Sequence, residues 1–154
     1  MRYDEAQGFL DIYSKNPNKC KLAILKEDNK LIGRALIWTL DNGDTYMDRQ
    51  YSNADNISEV FVTYAIKKNM SYFSGYVRGE YDREPSVFYN GSSVDNDISV
   101  TIDNSEFETY PYFDSLRYMT GNKLFTKIAD GEYWDLTTTN GKRYKREGRN
   151  VRSI

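Results

Sequence analysis

The chain contains no histidine. That absence removes serine–histidine–aspartate and cysteine–histidine nucleophilic machinery, histidine-based zinc sites and imidazole acid–base catalysis. Any enzyme built on this sequence must work with carboxylates, tyrosine, lysine, backbone groups or an oxygen-ligated metal. A single cysteine, Cys20, excludes an intrachain disulfide and a cysteine metal cluster. Set between Lys19 and Lys21 at the start of an apolar run, it reads as a small buried hydrophobe rather than a nucleophile. No apolar run approaches the roughly 18 residues of a membrane span. The opening residues, MRYDEAQGFL, are charged and amphipathic with no apolar signal core, so a soluble cytoplasmic protein without membrane partners is expected.

What is present suits one globular domain, with or without an appended subdomain. The length is 154 residues, and the hydrophobic share of 39% against 29% charged is that of a folding chain rather than a disordered one. Tyrosine is abundant, with 14 copies that can serve as core or strand residues or as recognition surface. Charge is uneven. Lys142, Arg143, Lys145, Arg146, Arg149 and Arg152 crowd the C-terminus against Glu147 alone, leaving 15 basic and 22 acidic residues elsewhere, a balance of −7. The expectation is an acidic body with a basic tail over residues 142–154.

Capping and periodicity place the elements. Asp4-Glu5-Ala6-Gln7 has the form of a capping box, and Ala6, Phe9, Leu10 and Tyr13 follow at helical spacing until Asn16-Pro17-Asn18. Strands are expected over Lys21–Lys26 and Leu31–Leu40, joined by the turn Glu27-Asp28-Asn29-Lys30. Asn42-Gly43 signals a two-residue type I′ hairpin, which pairs Asp41 with Asp44. In that register Trp38 faces Met47, Leu36 faces Arg49, and Arg34 faces Tyr51, all on one side of the sheet. The two arginines become diagonal neighbours on the order of 7–8 Å apart. Asp48 points to the opposite side, beside Ile37. A second capping box, Asn56-Ile57-Ser58-Glu59, opens a helix with Ile57, Val60, Phe61, Tyr64 and Ala65 on one face, closing near Asn69. Met70–Val77 then reads as a strand. Beyond Gly79, short strand-like pieces (87–89, 98–102, 110–113, 123–128, 133–138) alternate with turns, and Asn90–Asp97 reads as an exposed loop.

The fold class expected is α+β: a mostly antiparallel sheet with two packed helices over residues 1–79, and a β-rich half over 80–141 packed on it. The order helix, hairpin, third antiparallel strand, helix, strand resembles the first half of the GNAT acetyltransferase fold. The segments that carry the likeness are LAILKEDNKLIGRALIWTL, DTYMDRQYS and ISEVFVTYAIKKNMSYF, within about residues 4–79. The resemblance implies an acyl-CoA pyrophosphate held by backbone N–H groups of a [Q/R]-x-x-G-x-[G/A] loop before a helix. Here that stretch is Arg49-Gln50-Tyr51-Ser52-Asn53-Ala54. Arg49 and Ala54 fit the pattern, Ser52 replaces the glycine, and Asp55 adds a negative charge. It implies Arg49, Ser52, Asn53 and Ala54 as contacts if acetyl-CoA binds, beside an open V-shaped gap near Asn56. The phrases GRALIW, YMDRQY and PYFDSLRYM are similar to those of small bacteriophage-encoded proteins, and this implies an accessory, host-interaction role.

Three candidate sites follow. Arg34, Arg49 and Tyr51 can form an anion-binding pocket with the helix start near Ser52–Asn56, or each arginine can pair with a carboxylate of the second half. Asp103, Glu106, Glu108 and Asp114 lie together in sequence but match no metal spacing, so solvated loop charge is favoured. Lys142, Arg143, Tyr144, Lys145, Arg146 and Arg149 can contact nucleic-acid phosphates or a partner, or dock on the protein's own acidic face. The leading expectation is a non-catalytic phage-type accessory protein, without metal or cofactor, that binds a host or defence-system macromolecule in the host bacterial cytoplasm. Inhibition of an anti-phage defence is one form this could take. The alternatives are a GNAT-like acyltransferase with a divergent acyl-CoA loop, and nucleic-acid binding through the basic tail. A homo-oligomer through an exposed edge of the β-rich half is compatible with either.

Overall fold

The computed structural model describes residues 13–53, 56–78, 83–95, 98–103, 114–119, 123–125, 133–137, 143–147 and 150–153. Among these the architecture is α+β with strands predominating. The first sheet holds β1 (Cys20–Glu27), β2 (Lys30–Thr39), β3 (Thr45–Met47), β4 (Tyr51–Ser52), β5 (Ser71–Arg78), β6 (Arg83–Tyr89) and β7 (Ser92–Val94). Its lateral order is β1-β2-β3-β5-β6-β7, with β4 paired to β2 beyond the end of β3. Helix α1 (Ile57–Lys67) carries the chain from β4 back to the start of β5. That crossover makes β3 and β5 the parallel pair in an otherwise antiparallel sheet. Residues 13–15 are helical; the rest of the expected N-terminal helix lies outside the described residues. No helix among the described residues is long and apolar enough to cross a membrane.

The second sheet holds β8 (Ser99–Thr101), β9 (Arg117–Met119), β10 (Lys123–Phe125), β11 (Tyr133–Thr137), β12 (Arg143–Glu147) and β13 (Asn150–Ser153), in the order β13-β12-β11-β9-β10-β8. The change of sheet falls after Val94. The stretch expected as an exposed loop contains the Asn90-Gly91 turn, both residues at positive φ, followed by β7. The segment expected as a tail supplies two paired strands, with Tyr144 opposite Ser153 and Lys145 opposite Arg152. The strand expected over 110–113 lies outside the described residues.

Side-chain alternation explains how the layers stack. Ala35, Met47 and Tyr72 turn toward α1 and bury Phe61 and Ala65, with Ala23, Leu25, Ile37, Ile57, Val62 and Ile66 around them. On the other face Cys20, Trp38, Leu40, Tyr46, Phe73 and Val87 pack against Ile98, Val100, Ile102, Leu116 and Leu124 of the second-sheet region. The helix shows its expected period, but its buried stripe is rotated: Val60 and Tyr64 are exposed while Phe61 and Ala65 are buried. Gly33 sets how closely α1 approaches, because a Cβ there would lie 2.7 Å from Phe61 Cε2 and 2.9 Å from Ile57 Cγ2. The helix begins after Asn56 as expected, but Asn56 sits at φ 66 and makes no side-chain cap, so no capping box forms. Its exit is as read: Asn69 has φ 56, and the Met70 N–H donates to the Ala65 carbonyl at 2.8 Å.

Candidate functional site

Two departures from ideal pairing along β2 build the site. At the hairpin, Leu40 N–H donates to the Asp44 carbonyl at 2.8 Å and Gly43 N–H to the Leu40 carbonyl at 2.9 Å. Only Gly43 has positive φ there, at 89°, so the loop has three residues rather than the two expected for Asn42-Gly43. The type I′ conformation is found one turn earlier, at Asp28 (φ 50) and Asn29 (φ 64). The longer loop slips the register by one: Trp38 faces Tyr46, and Ile37 faces Met47. Met47 consequently lies on the helix side, not beside Trp38.

The slip is undone further along. Arg34 pairs with Tyr51 and Gly33 with Ser52, as expected. Between the two paired regions β2 has Ala35 and Leu36, whereas the facing chain has Asp48, Arg49 and Gln50. The extra residue is a β-bulge. It turns Asp48 onto the Trp38 face, opposite to the expected placement, where its side chain is wholly buried.

Asp48 is fully committed there. Trp38 Nε1 donates to Oδ2 at 3.1 Å; Oδ1 accepts from Arg49 N at 2.8 Å, from Ser115 N at 3.1 Å and from Ser115 Oγ. Because the Ser115 hydroxyl spends its proton on Asp48, the Tyr46 hydroxyl 2.7 Å away must donate to it. Burial pushes the Asp48 carboxyl up to about 7, against the Ser115 and Arg49 hydrogen bonds that favour its charged form. Desolvation likewise raises the Tyr46 hydroxyl, and it takes the buried Cys20 thiol up to about 12. A carboxylate with no exposure, holding three donors on Oδ1 and one on Oδ2, lies out of a substrate's reach. Its work is to tie the bulge to the Asp114-Ser115 turn.

The bulge also fans out the polar side chains around it. The Arg34 guanidinium carbon lies 4.9 Å from the Tyr51 ring centroid, and that of Arg49 lies 5.7 Å from the same ring and 5.6 Å from that of Tyr76. The structure thus brings Arg34, Arg49 and Tyr51 together. Tyr51 is fixed by its hydroxyl, which donates to buried Asp114 Oδ1 at 2.7 Å. Arg34 is exposed, and no carboxylate lies within ion-pair distance of it among the described residues. Beside it, Leu31, Ile32, Gly33, Arg34, Tyr51, Ser52 and Asn53 line a shallow depression of about 230 Å³.

β3 and β5 part after the Met47–Tyr72 pair. Gln50 spans the fork: its Nε2 donates to the Asp48 carbonyl at 2.9 Å and across to the Phe73 carbonyl at 3.2 Å.

The remaining candidates disperse. Ser52 and Asn53 are exposed at the depression, while Ala54 and Asp55 lie outside the described residues. Of the acidic group, Asp103 is exposed and its N–H donates to Asn16 Oδ1; Asp114 is buried; Glu106 and Glu108 lie outside the described residues. Arg143, Tyr144, Lys145 and Arg146 are strand residues of β12, and Lys142 and Arg149 lie outside the described residues. Sequence reasoning missed the parts played by Asp48, Gln50, Tyr76 and Ser115. The one available signal was an aspartate between Met47 and Arg49 inside a strand, a position where a charge must be paired or the strand bulged. No protein-family model matches the chain, and neither a curated protein nor a solved structure matches it.

Proposed function

We propose that the protein is a non-catalytic binding module of the bacteriophage accessory type, docking an acidic surface of a host or defence-system protein through Arg34, Tyr51 and Arg49. The observation that carries this reading is the exposed Arg34 guanidinium held over Tyr51, with a second guanidinium on the same ring and a depression alongside. Each exposed cation–π contact is worth about 0.5–1 kcal/mol. More useful for binding, stacking restricts two long side chains before the partner arrives, which lowers the ordering cost of the complex. A partner carboxylate meeting Arg34 would gain a charge-assisted hydrogen bond. The commitment of Asp48 to structural bonds supports the non-catalytic part of the reading.

The parallel β3–β5 pair, parting beside α1, favours the second reading, an acyltransferase with a GNAT-like first half. The Gln50 bridge and Ser52 at the glycine position weigh against it, since an acyl chain would have to displace a side chain bonded to both strands. Affinity purification from bacterial lysate separates the two. The module reading expects a protein retained by the wild type and lost with Arg34→Ala/Arg49→Ala at unchanged melting temperature, and no melting shift with acetyl-CoA. A retained protein indifferent to both arginines would refute it. A clear acetyl-CoA shift would favour the acyltransferase, because ligand at about 100 times its Kd adds about 2.7 kcal/mol of stability.

A further inference from the structure

Among the described residues, the first strand of the first sheet is an edge strand. β1 pairs with β2 on one side, and no strand among the described residues pairs with its other side. The Thr39 N–H bonds to the Lys19 carbonyl at 2.8 Å, which fixes the phase of the ladder. Lys19, Lys21 and Ala23 direct their backbone groups inward to β2, and Leu22 and Ile24 direct theirs outward. The register shift near Leu25 leaves Ile32 as the extra residue, on β2, so the outer edge of β1 is uninterrupted. Leu22 is 56% exposed and Ile24 49%, on the same face as Arg34. A regular edge of eight residues with two bare apolar side chains and no proline invites strand addition.

We infer that the occupant of this edge is a second copy of the chain, joined antiparallel through β1 about a two-fold axis at Ala23. The choice of partner rests on self-complementarity. Outward-facing residues must meet outward-facing residues, and centring on Ala23 sets Leu22 against Ile24 of the second copy, and Ile24 against its Leu22. Those contacts gather four apolar side chains on one face. The same register sets Lys19 against Glu27 of the second copy at both ends, so opposite charges meet twice, whereas a centre at Leu22 leaves Lys26 facing Asn18. The pairing is isologous and closes on itself. Both Arg34 sites then stand on one face of a continuous sheet. They are three strand spacings across and two residues along, about 16 Å apart, a geometry for bivalent capture of a repeated acidic partner.

Sedimentation equilibrium across about 1–300 μM, the range of weak protein association, tests the interface. The expected result is a concentration-dependent rise toward twice the 18.0 kDa chain mass. Ile24→Lys should abolish it with an unchanged melting temperature at low concentration, since the side chain is half exposed in the single chain. Lys19→Glu or Glu27→Lys alone should weaken association by about 3- to 10-fold, and the two together should restore it. A monomer at every concentration would overturn the inference. So would a dimer that tolerates Ile24→Lys, or single charge reversals without effect.

Discussion

Replacing Asp48 with asparagine should make two stability curves cross as pH is varied. In the folded protein the carboxyl titrates at about 7; in the unfolded chain it titrates near the ordinary value of about 3.9. Between those values the folded state holds a proton that the unfolded state has released. Asp48 therefore supports folding fully at low pH, and that support is lost as pH rises through 4 to 7. Linkage puts the loss between pH 5 and pH 8 at about 2–3 kcal/mol. Asparagine carries no such term. It keeps an oxygen for Arg49 N, Ser115 N and the Ser115 hydroxyl, but turns an NH2 toward Trp38 Nε1–H, forfeiting one buried bond at about 1–2 kcal/mol whatever the pH. Asp48→Asn should thus be less stable than wild type at pH 5, by about 1–2 kcal/mol, and equal or more stable at pH 8. Urea unfolding of both proteins at the two pH values measures the double difference, in which other carboxylates cancel. Parallel pH profiles would refute the burial argument for this group.

Gly33→Ala should cost about 1–3 kcal/mol in urea unfolding, because its Cβ would fall inside the packing distance of the Phe61 ring and the Ile57 methyl, which must shift to admit it; a neutral substitution would show that these side chains give way freely. Asp41 accepts bonds from Ser99 Oγ, Thr101 N and Thr101 Oγ1, and although burial opposes it, these bonds hold its carboxyl below the ordinary value. Asp41→Ala should therefore lose about 0.5–1 kcal/mol at neutral pH, given its exposure, and the difference should shrink as acid protonates the wild-type carboxylate; a loss that persists in acid would contradict the hydrogen-bond account. Cys20 should resist a thiol reagent at pH 8 in the native protein and react in denaturant, since its side chain is 8% exposed and its thiol is raised to about 12. Equal rates in both states would show that the strand opens.

Much of the first sheet was legible because its signals are local. Alternation marked β1, β2 and β5, positive-φ formers marked the Asp28-Asn29 and Asn90-Gly91 turns, and a helical period marked α1. The Arg34–Tyr51 pairing was legible too, but for an incomplete reason: the three-residue hairpin loop and the bulge at Asp48–Gln50 each displace the register by one and cancel. Between those two irregularities every side chain faces opposite to a simple ladder, which is why Met47 and Asp48 were exchanged between faces. The hairpin irregularity leaves no mark in the sequence and the bulge leaves only Asp48, since the bulge depends on a buried acceptor meeting Trp38 and on Ser115, 67 positions away. The strand pairing of the basic segment was not legible, because its charge density masks strand character that shows only where a sheet supplies pairing partners.

Under the proposed function, the Arg34–Tyr51–Arg49 surface holds a macromolecular partner. The most direct test is a photo-crosslinking amino acid placed at Leu31, which is 51% exposed and lines the depression beside Arg34. In bacterial cells a discrete protein adduct is expected, and it should disappear when Arg34→Ala is added. An absent adduct, or one that survives the loss of Arg34, would contradict the proposal.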